Sequence, residues 1–432
     1  VRVWFRNWWA IKRARDIDTP ATYTARLLAL SPLAHYSLGD AVGSSTAVDD
    51  SGNARNGTPG NITFGVTGSG DGLTAARWNG SAGTINLTTA LASVWGGQEG
   101  SVVLRINTTA LSDATTRRLF AARVDANNLL DLYSDGAGNI TAQYTAGGTS
   151  KFTGYTPLYA AGWLDVAVTW SKTANALIIY FNGMRQDSIK TGLGTWAGTP
   201  VGVRIGSKYD NSGGFFSGDI AHVTVLNRAL SVSEVVRAAE RSGQVLFDGD
   251  SRSDITYEMA LMADSTVEAQ KWGGSIYAVS GTTTSQFISR AATGIDAAYS
   301  SGFGTRQVCV VFGGVNDGRA GVSAATIWAN LQTYCTARRA RGYKVLLCTE
   351  IDAQDANANA NNWHSTVYPA LNTLIRAGYA SVADDLADLG ADSRLQDATN
   401  TTYFNADKLH PNATGSAVIG AIVKPKLLRL MG

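Results

Sequence analysis

The stretch Val245-Leu246-Phe247-Asp248-Gly249-Asp250-Ser251-Arg252-Ser253 decides the fold of the second half of this 432-residue chain. Its apolar start favours a buried strand, and the Gly-Asp-Ser that follows stops the strand in a tight turn. A serine at the carboxyl end of a strand lies where open α/β sheets place their ligands, in the crevice above the strand ends. Ser251 is on that ground a candidate nucleophile, although Gly-Asp-Ser alone is also ordinary turn chemistry.

Downstream of residue 242, strand and helix patterns alternate, which argues for a parallel sheet with crossover helices. Strands are predicted at 245–247, 275–279, 307–312, 344–349 and 380–382. Helices are predicted at 254–262, 284–298, 324–341, 363–377 and 412–430, the last with a bend at Pro425. Residues 243–432 are enough for one doubly wound domain.

Three further signals fall at strand ends or helix entries: Ser280-Gly281-Thr282, Gly313-Gly314-Val315-Asn316-Asp317 and Asp407-Lys408-Leu409-His410. Acyl transfer needs a nucleophile, a base, a group that orients the base and donors for the oxyanion. Ser251 supplies the hydroxyl, which requires an imidazole within hydrogen-bond reach. His410 stands at a strand-to-helix boundary, and Asp407, three residues earlier, is close enough to fix its tautomer. The backbone amides of Ser251 and Gly281 and the side-chain amide of Asn316 form the expected oxyanion hole, glycine at 281 permitting close backbone approach. His364 is a rival base, and Glu350 and Asp352 are rival acids. The loop that ends in Trp363 is expected to border the substrate pocket.

Taken in order, Gly249-Asp250-Ser251, Gly281, Gly314-Val315-Asn316-Asp317 and Asp407-Lys408-Leu409-His410 resemble the SGNH, or GDSL-type, hydrolase family. The resemblance implies a flavodoxin-like three-layer fold and metal-free serine ester hydrolysis. Arg252 and Ser253 depart from it, standing where an apolar residue is common in the family.

The first half reads differently. Short alternating segments at 100–107, 119–124, 129–134, 140–144, 164–170 and 176–181 are separated by turn signals such as Ser134-Asp135-Gly136 and Asn182-Gly183, the pattern of an antiparallel β-sandwich. Ser231-Val232-Ser233-Glu234 is a capping box that opens a short helix and closes this unit. The segments Ala34-His35-Tyr36-Ser37-Leu38-Gly39-Asp40, Asp49-Asp50-Ser51-Gly52-Asn53, Tyr180-Phe181-Asn182-Gly183 and Asn227-Arg228-Ala229-Leu230-Ser231 resemble the laminin-G-like, concanavalin-type lectin family. That resemblance implies a two-sheet jelly roll that often binds carbohydrate. Trp78, Trp163 and Trp170 fall in strand patterns and read as core, whereas Trp95 and Trp196, flanked by glycine, read as exposed sugar-stacking residues. Asp49, Asp50 and Asn53 suit either a calcium site or an ordinary turn.

The expected division is a basic, aromatic arm at 1–30, the sandwich at 31–242 and the hydrolase domain at 243–432. The arm lacks the uninterrupted apolar core of a signal peptide. It reads as a segment that docks on its own domain, on an oligomer axis or on a larger assembly. A formal net charge of +2 gives no electrostatic case for nucleic acid, and no apolar run is long enough to span a membrane. Three cysteines exclude a complete disulfide framework, and their apolar settings suggest buried thiols. With four histidines and no metal-ligand spacing, neither metal nor cofactor is expected in the hydrolase reaction.

A lectin-like module joined to an esterase points to deacetylation of a polysaccharide that the first domain holds. Sandwich-plus-SGNH chains with a short basic N-terminus resemble bacteriophage tail-associated proteins, which implies a virion-associated or extracellular setting. The alternatives are a lipolytic esterase or thioesterase, and a glycan-binding adhesin with a weakly active hydrolase domain.

Overall fold

The computed structural model describes residues 23–107, 114–159, 162–253 and 256–432. Most of the predicted N-terminal arm therefore lies outside the described residues. Its last part is helix α1 (Tyr23–Leu28), which docks on the sandwich through buried Tyr23 and Leu27. The Tyr23 hydroxyl donates to Asp165 over 2.8 Å, and the Arg105 guanidinium, itself paired with Asp165, stacks 3.7 Å from the Tyr23 ring.

The first half is a sandwich of two antiparallel layers. One is a seven-stranded sheet in the order β10-β9-β8-β7-β14-β5-β2. It comprises β2 (Thr58–Gly60), β5 (Thr84–Asn86), β7 (Thr116–Asp125), β8 (Asn128–Asp135), β9 (Ile140–Ala146), β10 (Thr149–Tyr155) and β14 (Gly202–Ile205). The facing layer is formed by β1 (Ala34–Tyr36), β3 (Ile62–Val66), β4 (Ala75–Asn79), β6 (Glu99–Asn107), β11 (Trp163–Ser171), β12 (Ala176–Phe181), β13 (Met184–Arg185) and β15 (Ser217–Leu226). Alternate residues of both layers, among them Val102, Leu104, Leu130, Leu132, Val166 and Val168, meet in one apolar core. The predicted strands all fall within observed ones. Helix α2 (Val232–Ala238) opens with the predicted capping box at Ser231 and Glu234.

In the second half the parallel strands are β16 (Gly243–Gly249), β17 (Trp272–Ile276), β18 (Gln307–Phe312), β19 (Lys344–Cys348) and β20 (Asp385–Ala387). Their spatial order is β17-β16-β18-β19-β20, the flavodoxin-like order with its switch point between β16 and β18. Val245, Phe247, Val308, Val310 and Phe312 point to one face, where α3 (Thr256–Ala263) and α8 (Ala413–Met431) cover them. Leu246, Cys309 and Val311 point to the other, beneath α4 (Thr284–Arg290) and α6 (Ala324–Arg341), with α7 (Tyr368–Gly378) packed on α6. Burial on both faces explains why these strands read as continuous apolar runs. Each fully buried Val, Leu, Ile or Phe contributes about 1.5–3 kcal/mol. All three cysteines are free and buried.

The two halves share one sheet. Asn182 and Gly183, both at positive φ, form the tight turn of the β12-β13 hairpin. Strand β13 then pairs in parallel with β17, Met184 beside Gly274, and the Gly274 amide donates to the Gly183 carbonyl over 2.8 Å. The hairpin thereby covers what would otherwise be the free edge of the parallel sheet. Helix α2 packs on β16 and β17, and Arg241 pairs with Glu268 across the junction at 2.8 Å.

Several expectations need correction. The strand predicted at 275–279 runs instead over Trp272–Ile276, because Gly273 and Gly274, which look like a turn, are where the hairpin approaches most closely. The strand predicted at 380–382 is a 3-10 turn, and the pairing segment is Asp385–Ala387. Its polar start is matched by Arg429 and Lys426 of α8. The helix predicted at 284–298 ends as α-helix at Arg290, and α8 continues through Pro425. Trp95 and Trp196 are buried, not exposed: Trp95 packs among Phe120, Trp170 and Trp196 inside the sandwich. Asp49 has its carboxylate occupied by the backbone amides of His35, Ser51 and Arg55, as the organiser of a loop.

Candidate active site

Gly249 closes β16 against β18 so tightly that a Cβ there would lie 1.9 Å from the Phe312 carbonyl oxygen. Asp250 is fully buried. One of its oxygens accepts from the Arg252 amide at 3.0 Å and the other from the Gly314 amide at 3.3 Å, so it ties together the two strand ends at the switch point. The chain then makes a single 3-10 turn over Ser251–Ser253, which presents the Ser251 hydroxyl.

The His410 loop reaches the same point from the entry to α8. Asn412 caps that helix by accepting from the amides of Thr414 and Gly415, and the Asn405 amide donates to the His410 carbonyl. Lys408 at φ +57° reverses the chain between Asp407 and His410. Ser251 Oγ lies 2.8 Å from His410 Nε2, and His410 Nδ1 lies 2.7 Å from Asp407 Oδ2. Asp407 Oδ1 accepts the backbone amides of Leu409 and His410, each at 3.0 Å. Partial burial pulls the Asp407 carboxyl upward, but the hydrogen bonds from His410 and these amides outweigh it and hold the group below its ordinary range. An ionised carboxylate only accepts, so Nδ1 carries the proton and Nε2 is left to accept from the serine hydroxyl.

Gly281 sits at φ +78° in the turn after β17. The Val279 amide of that turn donates to the Gly249 carbonyl at 3.1 Å, which brings the turn beside the serine. Asn316 lies in the short helix α5 (Val315–Arg319) and donates through Nδ2 to the Thr282 carbonyl at 3.1 Å, while its Oδ1 accepts from Arg319 at 3.1 Å. Asp317 accepts from the Thr284 amide and hydroxyl at 2.8 and 2.7 Å. The Gly281 turn, α4 and α5 are thus pinned to one another. Ser251, His410 and Asp407 form a continuous chain of contacts, and the turn carrying Gly281, to which Asn316 is bonded, is held to the Gly249 carbonyl two residues before the serine.

Trp363 does not border a pocket. It is fully buried, its indole donating towards the Ile351 carbonyl, and Gly318 packs against its ring face. His364 pairs with Asp352 at 2.9 Å and Glu350 contacts Arg252, whereas the carboxylate bonded to His410 is that of Asp407. Sequence reasoning missed Arg252, which is buried beneath the serine turn, contacts Glu350 and donates to the Ile351 carbonyl at 3.1 Å. Burial pushes the Glu350 carboxyl up to about 7 against the pull of Arg252. A charged residue directly after the nucleophile in an apolar frame was the signal for such a pair. A second missed contact is Arg290, which bonds Asp248 at 2.6 Å and the carbonyls of Gly249 and Tyr277. Among the described residues no cluster of three or more His, Cys, Asp or Glu side chains is placed to hold a metal ion, and no helix is long and apolar enough to cross a membrane.

Residues 79–236 match the model of the concanavalin A-like lectin/glucanases superfamily, and residues 249–418 match that of the GDSL-like lipase/acylhydrolase family. No curated protein matches the chain. Solved structures similar to it include the K499G mutant of NanB sialidase from Streptococcus pneumoniae, at 15% identity and TM-score 0.32, covering 37% of this chain and 26% of that one. The CBM40 of Ruminococcus gnavus IT-sialidase bound to α2,3-sialyllactose matches at 15% identity and TM-score 0.34, covering 38% and 96%. The botulinum neurotoxin serotype D binding domain matches at 14% identity and TM-score 0.37, covering 48% and 51%. The chain thus spans about a quarter of the NanB structure and half of the neurotoxin domain. Two family models in sequence, on a sandwich followed by a 2-1-3-4-5 parallel sheet, identify this chain as a concanavalin A-like domain joined to a GDSL-like lipase/acylhydrolase domain.

Proposed function

We propose that the chain is a serine ester hydrolase that removes small acyl groups, acetyl foremost, from a polysaccharide held by its sandwich domain. The observation that carries this reading is the unbroken contact from Ser251 Oγ to His410 to Asp407, at 2.8 and 2.7 Å. His410 takes the hydroxyl proton as Ser251 Oγ bonds to the ester carbonyl carbon. The carbonyl electron pair moves onto oxygen, where the amides of Ser251 and Gly281 and the Asn316 side chain stabilise it. Collapse expels the alkoxide, which takes the proton from His410. Water, deprotonated by the same imidazole, then releases the acid and restores the serine.

The setting favours a bulky alcohol. The side chains of His410 and Asp407 are 34% and 46% exposed, so a polymer strand can lie across the site. Acetate release by the whole chain from acetylated xylan, pectin and xanthan tests the proposal, beside hydrolysis of p-nitrophenyl acetate. Release from at least one polymer, abolished in Ser251→Ala, is the expected result. Hydrolysis of long-chain lipid esters without acetate release from any polymer would favour a lipolytic enzyme, and polymer binding without any hydrolysis an adhesin.

A further inference from the structure

A groove of about 360 Å³ opens on the sandwich surface where the ends of β9 and β10 meet the segment following β13. Its walls carry Phe152 and Tyr155, 50% and 39% exposed, although aromatic rings on a free surface leave apolar area in water. Between them Gly154 faces Thr141, and a Cβ at 154 would lie 2.5 Å from the Thr141 hydroxyl, so the floor stays flat. The polar rim is built by Asn139 and Asp187. Asn139 is held by Asp135 and Thr156. Asp187 Oδ2 accepts at long range, 3.3 Å from the Gly154 amide and 3.4 Å from the Thr153 hydroxyl, while Lys190 and the amide and hydroxyl of Ser188 fix Oδ1. An oriented carboxylate whose Oδ2 contacts are long enough for a sugar hydroxyl to replace them, beside exposed ring faces, matches a pyranose. The sugar's C–H face lies on an aromatic ring, and its adjacent hydroxyls donate to the carboxylate. The volume is at the lower end of the roughly 300–1,000 Å³ of small-ligand pockets, enough for a sugar ring or two and too small for a protein surface.

We infer that this groove is the subsite with which the sandwich holds a glycan strand for the hydrolase domain. Its placement supports the role. Strand β13 runs parallel to β17, so continuing from Met184 to Asp187 leads towards the same sheet end at which β16 delivers Ser251. Two strand spacings, about 10 Å, separate β13 from β16. Asp187 follows a strand of the sheet that joins the two halves, whereas the ring-bearing wall belongs to the facing sheet of the sandwich, and a strand bound between them presents neighbouring esters to the hydrolase half at high local concentration.

The identity of the glycan as substrate rests on the proposed ester hydrolysis, but the groove is tested apart from it. Binding of the full chain carrying Ser251→Ala to acetylated xylan, pectin and xanthan, and to the same polymers after alkaline deacetylation, is measured by affinity electrophoresis. It is compared with chains that also carry Phe152→Ala or Asp187→Asn and melt at the same temperature. The expected result is binding to at least one polymer, weakened roughly tenfold by either added substitution. Equal binding by all three chains, or no binding to any polymer, overturns the inference. Failure of the wild type to hydrolyse p-nitrophenyl acetate would instead refute the hydrolase reading and leave the binding result standing.

Discussion

Replacing Gly273 by Ala tests whether the two halves are locked by their shared sheet. A Cβ at 273 would lie 2.7 Å from the Gly183 carbonyl oxygen, 3.0 Å from its carbon and 3.1 Å from Val236 Cγ2. Two of these are backbone atoms of a tight turn and cannot rotate away. The hairpin must lift, and lifting it breaks the 2.8 Å hydrogen bond from the Gly274 amide to Gly183. Losing that bond costs about 1 kcal/mol. Overpacking adds about 1–3 kcal/mol, for a total of about 2–4 kcal/mol, or roughly thirty- to several-hundred-fold in the local opening equilibrium. Hydrogen exchange resolved by residue is the assay, since a two-domain chain need not unfold in one step. Protection should fall at Gly274 and along β12 and β13 while the centres of β18 and β6 stay protected. Wild-type protection at Gly274 in the variant would refute the account of the junction.

Asn316→Ala should lower kcat on p-nitrophenyl acetate by about 10²–10³, and an unchanged kcat removes Asn316 from the oxyanion site. Trp95→Ala should cost about 3–5 kcal/mol of stability, because the ring fills the sandwich core among Phe120, Trp170 and Trp196; a variant that melts with the wild type contradicts that placement. Glu350 gives a pH signature. An unfolded glutamate titrates near about 4.3, whereas burial holds this one at about 7 despite Arg252. Between these values the native state keeps a proton that the unfolded chain releases, so the stabilisation is full below the lower value and declines as pH rises through the upper one. The wild-type urea midpoint should therefore fall relative to that of Glu350→Gln between pH 5 and 8, and parallel curves would count against the assignment.

Much of this was legible in the sequence because local and tertiary demands agree. Gln307–Phe312 and Ala324–Arg341 occupy the residues their patterns predict: the first is apolar on both faces, and the second is bounded by Ser323 as N-cap and Gly342 in the left-handed region. Ser251 and Asn316 stand just past the ends of β16 and β18, and His410 stands at the entry to α8. The misreadings of the tryptophans and of the strand at Trp272–Ile276 share one cause, which is glycine. The glycines flanking Trp95 and Trp196 suggested that these rings were exposed, yet a Cβ at Gly97 would meet the Trp196 ring at 2.3 Å. Gly318 leaves room for Trp363 in the same way, at 2.1 Å. These glycines make space for rings that arrive from distant strands, and local sequence cannot distinguish that from a turn. Arg252 with Glu350, 98 residues apart, was hidden because each partner is surprising only once the other is known to be buried beside it.

The central claim is that Ser251 is a nucleophile activated by His410. Treating the intact chain with a fluorophosphonate and mapping the adduct by mass spectrometry tests it most directly, because the reagent reports the activated hydroxyl whatever the natural ester. The account predicts one adduct, on Ser251, absent in Ser251→Ala and formed at least a hundredfold more slowly in His410→Ala. An adduct on another serine, or Ser251 labelling at the wild-type rate without His410, would contradict it.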